Sequence, residues 1–287
     1  MKRSSEFQTR KLPQNITGKA DDFVDSNTTG KTVAIIQARL GSSRLPRKIL
    51  LDIAGQSMLE RVVTRVQQAK QIDQVVIATT TEQTDDPLIE YCEDRNWNFF
   101  RGSEHDVLSR YLETARHFLA TRVVRVTSDC PLIDPGVIDQ LVHLSTASSV
   151  GSGSGCKSEL DYCCNFYPER HFPRGLDCEC ISTQALERID RLATRPEYRE
   201  HVTLYTYRNP ERFSIGSLKS SSDFSGFRWT VDTPEDLELI RTIYHHFESL
   251  GVYQFDWKQT IAACQACLLY TSPSPRDATL SRMPSSA

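Results

Sequence analysis

Nothing in the chain approaches the roughly 18 uninterrupted apolar residues of a membrane-spanning helix, so no membrane span is expected. Net charge is scarce as well: 34 basic against 37 acidic side chains leave −3. The basic surplus that marks a partner of nucleic-acid polymers is therefore missing. A small anionic ligand stays open, because it responds to local clusters of charge and not to totals. Cysteine is thinly spread, since nine in 287 residues are too few for a disulfide scaffold. The odd count suits reduced thiols in a cytoplasmic compartment. None has zinc spacing; Cys178 and Cys180 would share one face of a strand, whereas the neighbours Cys163 and Cys164 would point apart. The first thirty residues carry no apolar h-region, which argues against a secretory signal. Their Glu6, Asp21, Asp22 and Asp25 argue against a mitochondrial transit peptide.

What is present is ordinary in bulk. With 39% hydrophobic and 25% charged residues, the composition is that of a globular protein, and the length allows a core built from burial alone. Residues 1–30 are polar, without helical or alternating period, and read as a mobile leader. At the other end, CLLYTSPSPRDATLSRMPSSA from Cys267 breaks off the preceding periodicity and matches one translated frame of a transposase-type sequencing adapter. Residues 266–287 are therefore set apart as non-native. A single α/β domain is assigned to residues 31–265, with a Gly/Ser-rich insertion at about 147–158.

Short apolar runs alternate with amphipathic stretches. TVAIIQA after Lys31 and QVVIATT (Gln74 to Thr80) read as buried strands, NWNFFRG as a third, and VVRVTSD as a fourth ending at Asp129. Between them, Met58 to Ala69, Asp86 to Arg95 and Val107 to Leu119 keep helical spacing. This alternation predicts a mostly parallel sheet covered on both faces. The second half is less regular. Strands are expected at Asp161–Phe166, Asp177–Ser182, Arg212–Gly216 and FRWTV, with helices around Tyr198–Tyr207 and from Pro234 to Leu250. This part predicts an antiparallel extension beside the parallel core.

The strongest local signal is IIQARLGSSRLPRKIL, Ile35 to Leu50, where a buried strand runs into a loop carrying Arg39, Arg44, Arg47 and Lys48. Ligands of parallel sheets sit beyond the carboxyl ends of the strands. Gly41, Ser42 and Ser43 would let backbone N–H groups turn inward as an anion nest. Arginine offers planar forks to phosphate oxygens and lysine a point charge. Four cations in ten residues repel each other unless water or an anion meets them, so a solvated basic turn is the alternative. The loop is neither a Walker loop nor GxGxxG.

The run Q-A-R-L-G-S-S-R-L-P-x-K is similar to the signature of the CMP-sugar cytidylyltransferases. It looks closest to the spore-coat polysaccharide branch, which is related to the enzymes activating 3-deoxy-octulosonate and acylneuraminate. The resemblance continues in order through VVIATTTEQTDDPL, FRGSEHDVLSRY, VRVTSDCPLIDP, GLDCECIS, REHVTLY, RNPERF and RWTVDTPEDLE, from about Thr32 to Leu250. It implies the nucleotide-diphospho-sugar transferase fold, a Rossmann-like three-layer α/β/α sandwich with a mostly parallel mixed sheet. It also implies that Arg39, Gly41, Ser42, Arg44 and Lys48 cradle the CTP triphosphate. The backbone of Ala38 and Arg39 would meet the cytosine, with Thr79 and Thr80 closing the base pocket. At Arg47 the chain departs from the resemblance, because glycine is common there, and Arg47 is left without a role. Ser128 likewise stands where glycine is more usual.

By the same resemblance Asp129 and Asp232 hold Mg²⁺, and Lys48, Arg39, Asp129 and Asp232 form the catalytic set. Each acid also has a local alternative: Asp129 could cap the turn before Pro131, and Asp232 or Thr233 the helix begun by Pro234. Thr233 is the better cap. On the acceptor side the candidates are Arg174, Gly175, Asp177, Glu200 and His201, the last at a helical position expected to be buried; Arg195 and Arg199 could meet a sugar carboxylate. The implied reaction moves CMP from CTP to a sugar or sugar acid for surface-polysaccharide synthesis, in the cytoplasm and as a homodimer by resemblance only. Two alternatives are a glycosyltransferase of the same fold, disfavoured by the lack of an Asp-x-Asp motif after the strands, and an idle binding subunit.

Overall fold

The computed structural model describes residues 30–41, 44–146 and 159–266. Residues 1–29 of the expected leader, Ser42, Ser43, the expected Gly/Ser-rich insertion at residues 147–158 and residues 267–287 lie outside the described residues. In chain order the first half contains β1 (Thr32–Gln37), β2 (Asp52–Ile53), β3 (Gln56–Ser57), α1 (Met58–Gln67), β4 (Gln74–Thr80) and α2 (Asp86–Asp94). It continues with β5 (Asn98–Gly102), α3 (Val107–His117), β6 (Arg122–Thr127) and α4 (Pro135–Thr146). The second half adds β7 (Tyr162–Cys164), β8 (Glu179–Ser182), α5 (Thr183–Leu192), α6 (Pro196–Glu200) and α7 (Leu204–Arg208). The last elements are β9 (Ile215–Ser217), α8 (Pro234–Ser249) and α9 (Trp257–Ala266). None of these helices is long and apolar enough to cross a membrane.

Seven strands form one sheet in the order β5-β4-β1-β6-β8-β7-β9. The pairs β5–β4, β4–β1 and β1–β6 are parallel, β8 runs against both β6 and β7, and β9 pairs parallel with β7. Alternation along β1 shows why both faces need cover. Ala34 and Ile36 enter a core shared with α1, α2, α4, α8 and α9, while Val33 and Ile35 enter one shared with α3 and α5. The result is the expected three-layer sandwich. Cys163 and Cys164 separate into these two cores, and Cys178 joins Cys180 in the first.

Helix starts follow local chemistry. Ser57 and Glu60 close a capping box at α1, as Thr233 and Asp236 do at α8, where Pro234 opens the helix. Several boundaries differ from expectation. β6 ends at Thr127, so Asp129 stands on the loop beyond it. The helix expected around Tyr198–Tyr207 is two short ones, broken where the buried Val202 takes φ 42°. A 3₁₀ turn at Pro210–Arg212 delays β9 to Ile215. FRWTV is not a strand; it makes a single bridge, Arg174 to Arg228. α4, α5, α9 and the β2–β3 hairpin were not anticipated.

Candidate active site

Chain order doubles back at β1, with β4 and β5 on one side and β6 on the other. Such a reversal opens a crevice at the carboxyl end of the central strand. The basic loop leaves β1 there. A cavity of ≈ 390 Å³ lies at this point, lined by Arg39, Gly41, Arg44, Lys48, Asp129 and Asp232, together with Gln37, Ile49, Thr127 and Ser128.

The two acids come from distant segments and are brought together by main chain. The Val231 N–H donates to the Asp129 carbonyl at 2.9 Å, and Asp232 follows directly. Asp236 accepts from the N–H groups of both Asp232 and Thr233 at 2.9 Å, which fixes the residue just before α8. Gly175 supports the same segment from behind. Its φ is +102°, and a Cβ there would stand 2.8 Å from the Trp229 carbonyl carbon. The main chain of Arg174 bonds Phe227 and Trp229 at 2.9 and 2.7 Å. Thus Arg174 and Gly175, chosen as acceptor residues, are seated by their backbones against the segment that leads to Asp232.

Lys48 centres the cluster. Its Nζ lies 3.2 Å from Asp129 Oδ2, 3.3 Å from Asp232 Oδ1 and 2.8 Å from the Val231 carbonyl. Arg44 reaches Asp232 Oδ1 at 3.1 Å, and Arg228, which sequence reasoning left without a role, reaches Oδ2 at 2.8 Å. Burial opposes the charged form of Asp232, but Lys48, Arg228 and Arg44 outweigh it and hold its carboxyl below the usual carboxylate range. Both carboxylates therefore converge on one cationic centre. Two hard oxygen donors beside a phosphate-sized opening fit Mg²⁺, which takes one or two carboxylates and completes its shell with phosphates and water. Among the described residues no group of three His, Cys, Asp or Glu side chains could hold a metal alone.

Other loop residues are placed differently. Arg39 is paired with Glu104 at 3.1 Å at the cavity edge. Gly41 faces open space and lacks a positive φ; among the described residues of the loop the left-handed one is Arg47, at φ 53° and ψ 29°. That conformation favours glycine, which is the residue the resemblance expects there. The Ala38 N–H is taken by the Ala78 carbonyl at 3.1 Å. Thr79 and Thr80 are buried, and both hydroxyls bond the carboxylate of Asp85 rather than facing the cavity. Gln37 lines the cavity, and its Oε1 is a buried oxygen without a hydrogen-bond partner among the described residues. Such an orphan asks for a polar group from outside the chain.

A second cavity, ≈ 470 Å³, shares Thr127 with the first and is lined by Arg125, Phe166, Asp177, Glu179, His201 and Tyr207 among others. Asp177 is held by Arg170 through both guanidinium nitrogens. The buried Glu179 joins Arg125, Thr203 and Tyr162 on the floor. His201 stands in this cavity but is exposed and lies in the break between α6 and α7, not buried in a helix. Glu200 is exposed and outside the lining. Arg199 is spent on Asp106 and Asp190, at 2.6 and 2.7 Å, and Arg195 pairs with Glu197. Arg125 and Glu179 were missed because each looks like an ordinary strand residue until the sheet brings them together.

Known proteins resemble this chain in sequence and in fold. A family model described as cytidylyltransferase matches residues 33–268. The spore coat polysaccharide biosynthesis protein SpsF of Bacillus subtilis (strain 168) is 33% identical over 217 residues, covering 73% of this chain and 85% of that protein. A cytidylyltransferase from Leptospira borgpetersenii is 31% identical with a TM-score of 0.76, covering 85% of this chain and 98% of its own. The CMP:2-keto-3-deoxy-manno-octonic acid synthetase complexed with CTP shares the fold at 20% identity and a TM-score of 0.57, over 75% of this chain and 99% of that one. The chain is a nucleotidyltransferase and belongs to the cytidylyltransferase family.

Proposed function

We propose that the chain transfers CMP from CTP to a sugar or sugar acid with release of pyrophosphate, in the synthesis of a surface polysaccharide. The observation that carries this reading is the meeting of Lys48 with Asp129 and Asp232 on the floor of the loop cavity. Thr127, common to both cavities, supports the second one as the acceptor site.

In the proposed reaction the acceptor hydroxyl oxygen attacks the α-phosphorus of CTP. The bond from that phosphorus to the bridging oxygen of the β-phosphate breaks in line, pyrophosphate departs, and the hydroxyl proton passes to water. Phosphoryl-type transfer gains chiefly from positioning and charge neutralisation. Lys48, Arg44 and Arg39 supply cations along the triphosphate. Asp129 and Asp232 would hold Mg²⁺, which would supply neutralisation of the negative charge on the phosphates. Lys48 and Arg44 then exchange Asp232 for phosphate, since all three residues line the same cavity. Asp177, Glu179 and His201 face the acceptor, with Phe166 and Tyr207 offering apolar faces to a sugar ring.

Pyrophosphate release tests the reading, using CTP, Mg²⁺ and a panel containing 3-deoxy-manno-octulosonate, acylneuraminates and neutral hexoses. Release that requires both CTP and one acceptor is the expected result. Binding of a UDP-sugar but not CTP contradicts it and favours the glycosyltransferase alternative.

A further inference from the structure

Asp85 takes no part in the chemistry proposed above, yet it is 1% exposed at the turn between β4 and α2. Its Oδ1 accepts from the Leu40 N–H at 2.7 Å. Its Oδ2 accepts from the Thr79 hydroxyl at 3.1 Å, the Thr80 N–H at 3.3 Å and the Thr80 hydroxyl. A carboxylate in such a place is costly unless its lone pairs are met, and here they are met from two directions. One oxygen faces the basic loop and the other faces the end of β4.

Leu40 lies between Arg39 and Gly41, where the loop enters the nucleotide cavity. The parallel ladder of β1 with β4 ends at Gln37 and Ala78, and the Ala38 N–H adds one more bond to the Ala78 carbonyl. Past that point the chain leaves the sheet, and the Leu40–Asp85 bond carries the attachment onward. The buried Arg110 adds a countercharge. Asparagine could not replace this arrangement in full, since it has one acceptor oxygen where the carboxylate has two.

We infer that Asp85 is a positioning residue for the triphosphate, fixing the entry of the phosphate loop to β4 through the Leu40 N–H. The inference rests on the reading of that loop as the CTP cradle. It also explains why Thr79 and Thr80 stand where they do: their hydroxyls orient the latch, not the base.

The test is calorimetric titration of the full chain with CTP and, separately, with pyrophosphate, for wild type, Asp85→Ala, Asp85→Asn and Asp86→Asn. Asp85→Ala is expected to weaken both ligands by about tenfold or more. Asp85→Asn, which keeps one oxygen for Leu40, is expected to lose only about threefold. The exposed neighbour Asp86, paired with Arg101 at 2.8 Å, serves as the control and should leave both affinities unchanged. A purely structural Asp85 would lower the melting temperature without moving the affinity of the folded protein. Amide hydrogen exchange on the ligand-free wild type keeps the test open should Asp85→Ala fail to fold: the Leu40 amide is expected to exchange slowly. Wild-type affinity in Asp85→Ala, an equal loss in Asp85→Asn, or fast exchange at Leu40 each overturns the inference. A wild type that binds neither CTP nor pyrophosphate overturns the cradle reading itself, and the inference with it.

Discussion

The Asp129 carbonyl accepts the Val231 N–H at 2.9 Å, and this one main-chain bond sets Asp232 beside Asp129. The acidic pair is thus held by backbone, while its charges are met by side chains. Substitutions of those side chains should therefore separate chemistry from folding.

Lys48 is the first case. Lys48→Met keeps most of the stem but removes the charge that faces both acids. Loss of one preorganised electrostatic contact commonly slows an enzyme by about 100- to 1000-fold, and a fall of that size in pyrophosphate release is predicted, with the protein still folded by thermal melting. A variant that keeps more than about a tenth of the wild-type rate would contradict the role.

Acid should act through Asp232. Its carboxyl is held below the ordinary range by Lys48, Arg228 and Arg44 against the opposing effect of burial. The stabilisation is therefore present above the unfolded carboxyl's pKa and is lost as pH falls through the lower, folded value. Denaturant melts from about pH 5 down to pH 2 should show a steeper loss for wild type than for Asp232→Asn. Parallel curves would count against the assignment.

Gly175→Ala should affect stability and activity together. The new methyl meets the Trp229 main chain at 2.8 Å in a backbone conformation with φ +102°. Strain of this kind costs about 1–3 kcal/mol, and relief by moving Trp229–Thr230 would shift Asp232. A lower melting temperature with a normal rate would confine the effect to folding.

Arg47→Gly should go the other way. Arg47 occupies the left-handed region at φ 53°, at a cost of about 1–2 kcal/mol for a residue with a Cβ. Glycine removes that strain but adds about 0.5–1 kcal/mol of unfolded-chain entropy, so a net gain of up to about 1.5 kcal/mol is predicted in urea melts. Arg47→Val should lose stability, and a loss in Arg47→Gly would contradict the strain argument.

Legibility in the sequence followed how local each signal was. QVVIATT is rich in β-branched residues, and β4 spans those seven residues, Gln74–Thr80. The start of α8 was readable because Thr233, Pro234 and Asp236 carry the cap in consecutive chemistry. α4 was hidden because it begins with Pro135 and Gly136, which read as a turn, although Asp134 accepts from the Val137 N–H at 3.0 Å and caps it. The break at Val202 has no local signal either; Thr203 beside it is drawn to Glu179 on β8. The loop cations and the two acids could be picked by residue type. Asp85, Gln37, Arg228 and Arg125 could not, since each owes its place to a partner or cavity wall made only by folding.

The central claim is that Asp129 and Asp232 hold a divalent ion against a triphosphate bound by the basic loop. Calorimetric titration of CTP into wild type and Asp129→Ala, with Mg²⁺ and again with a chelator, tests it most directly. The account predicts that Mg²⁺ tightens CTP binding to wild type by about tenfold or more and leaves Asp129→Ala unaffected. Equal tightening by Mg²⁺ in both proteins would contradict it.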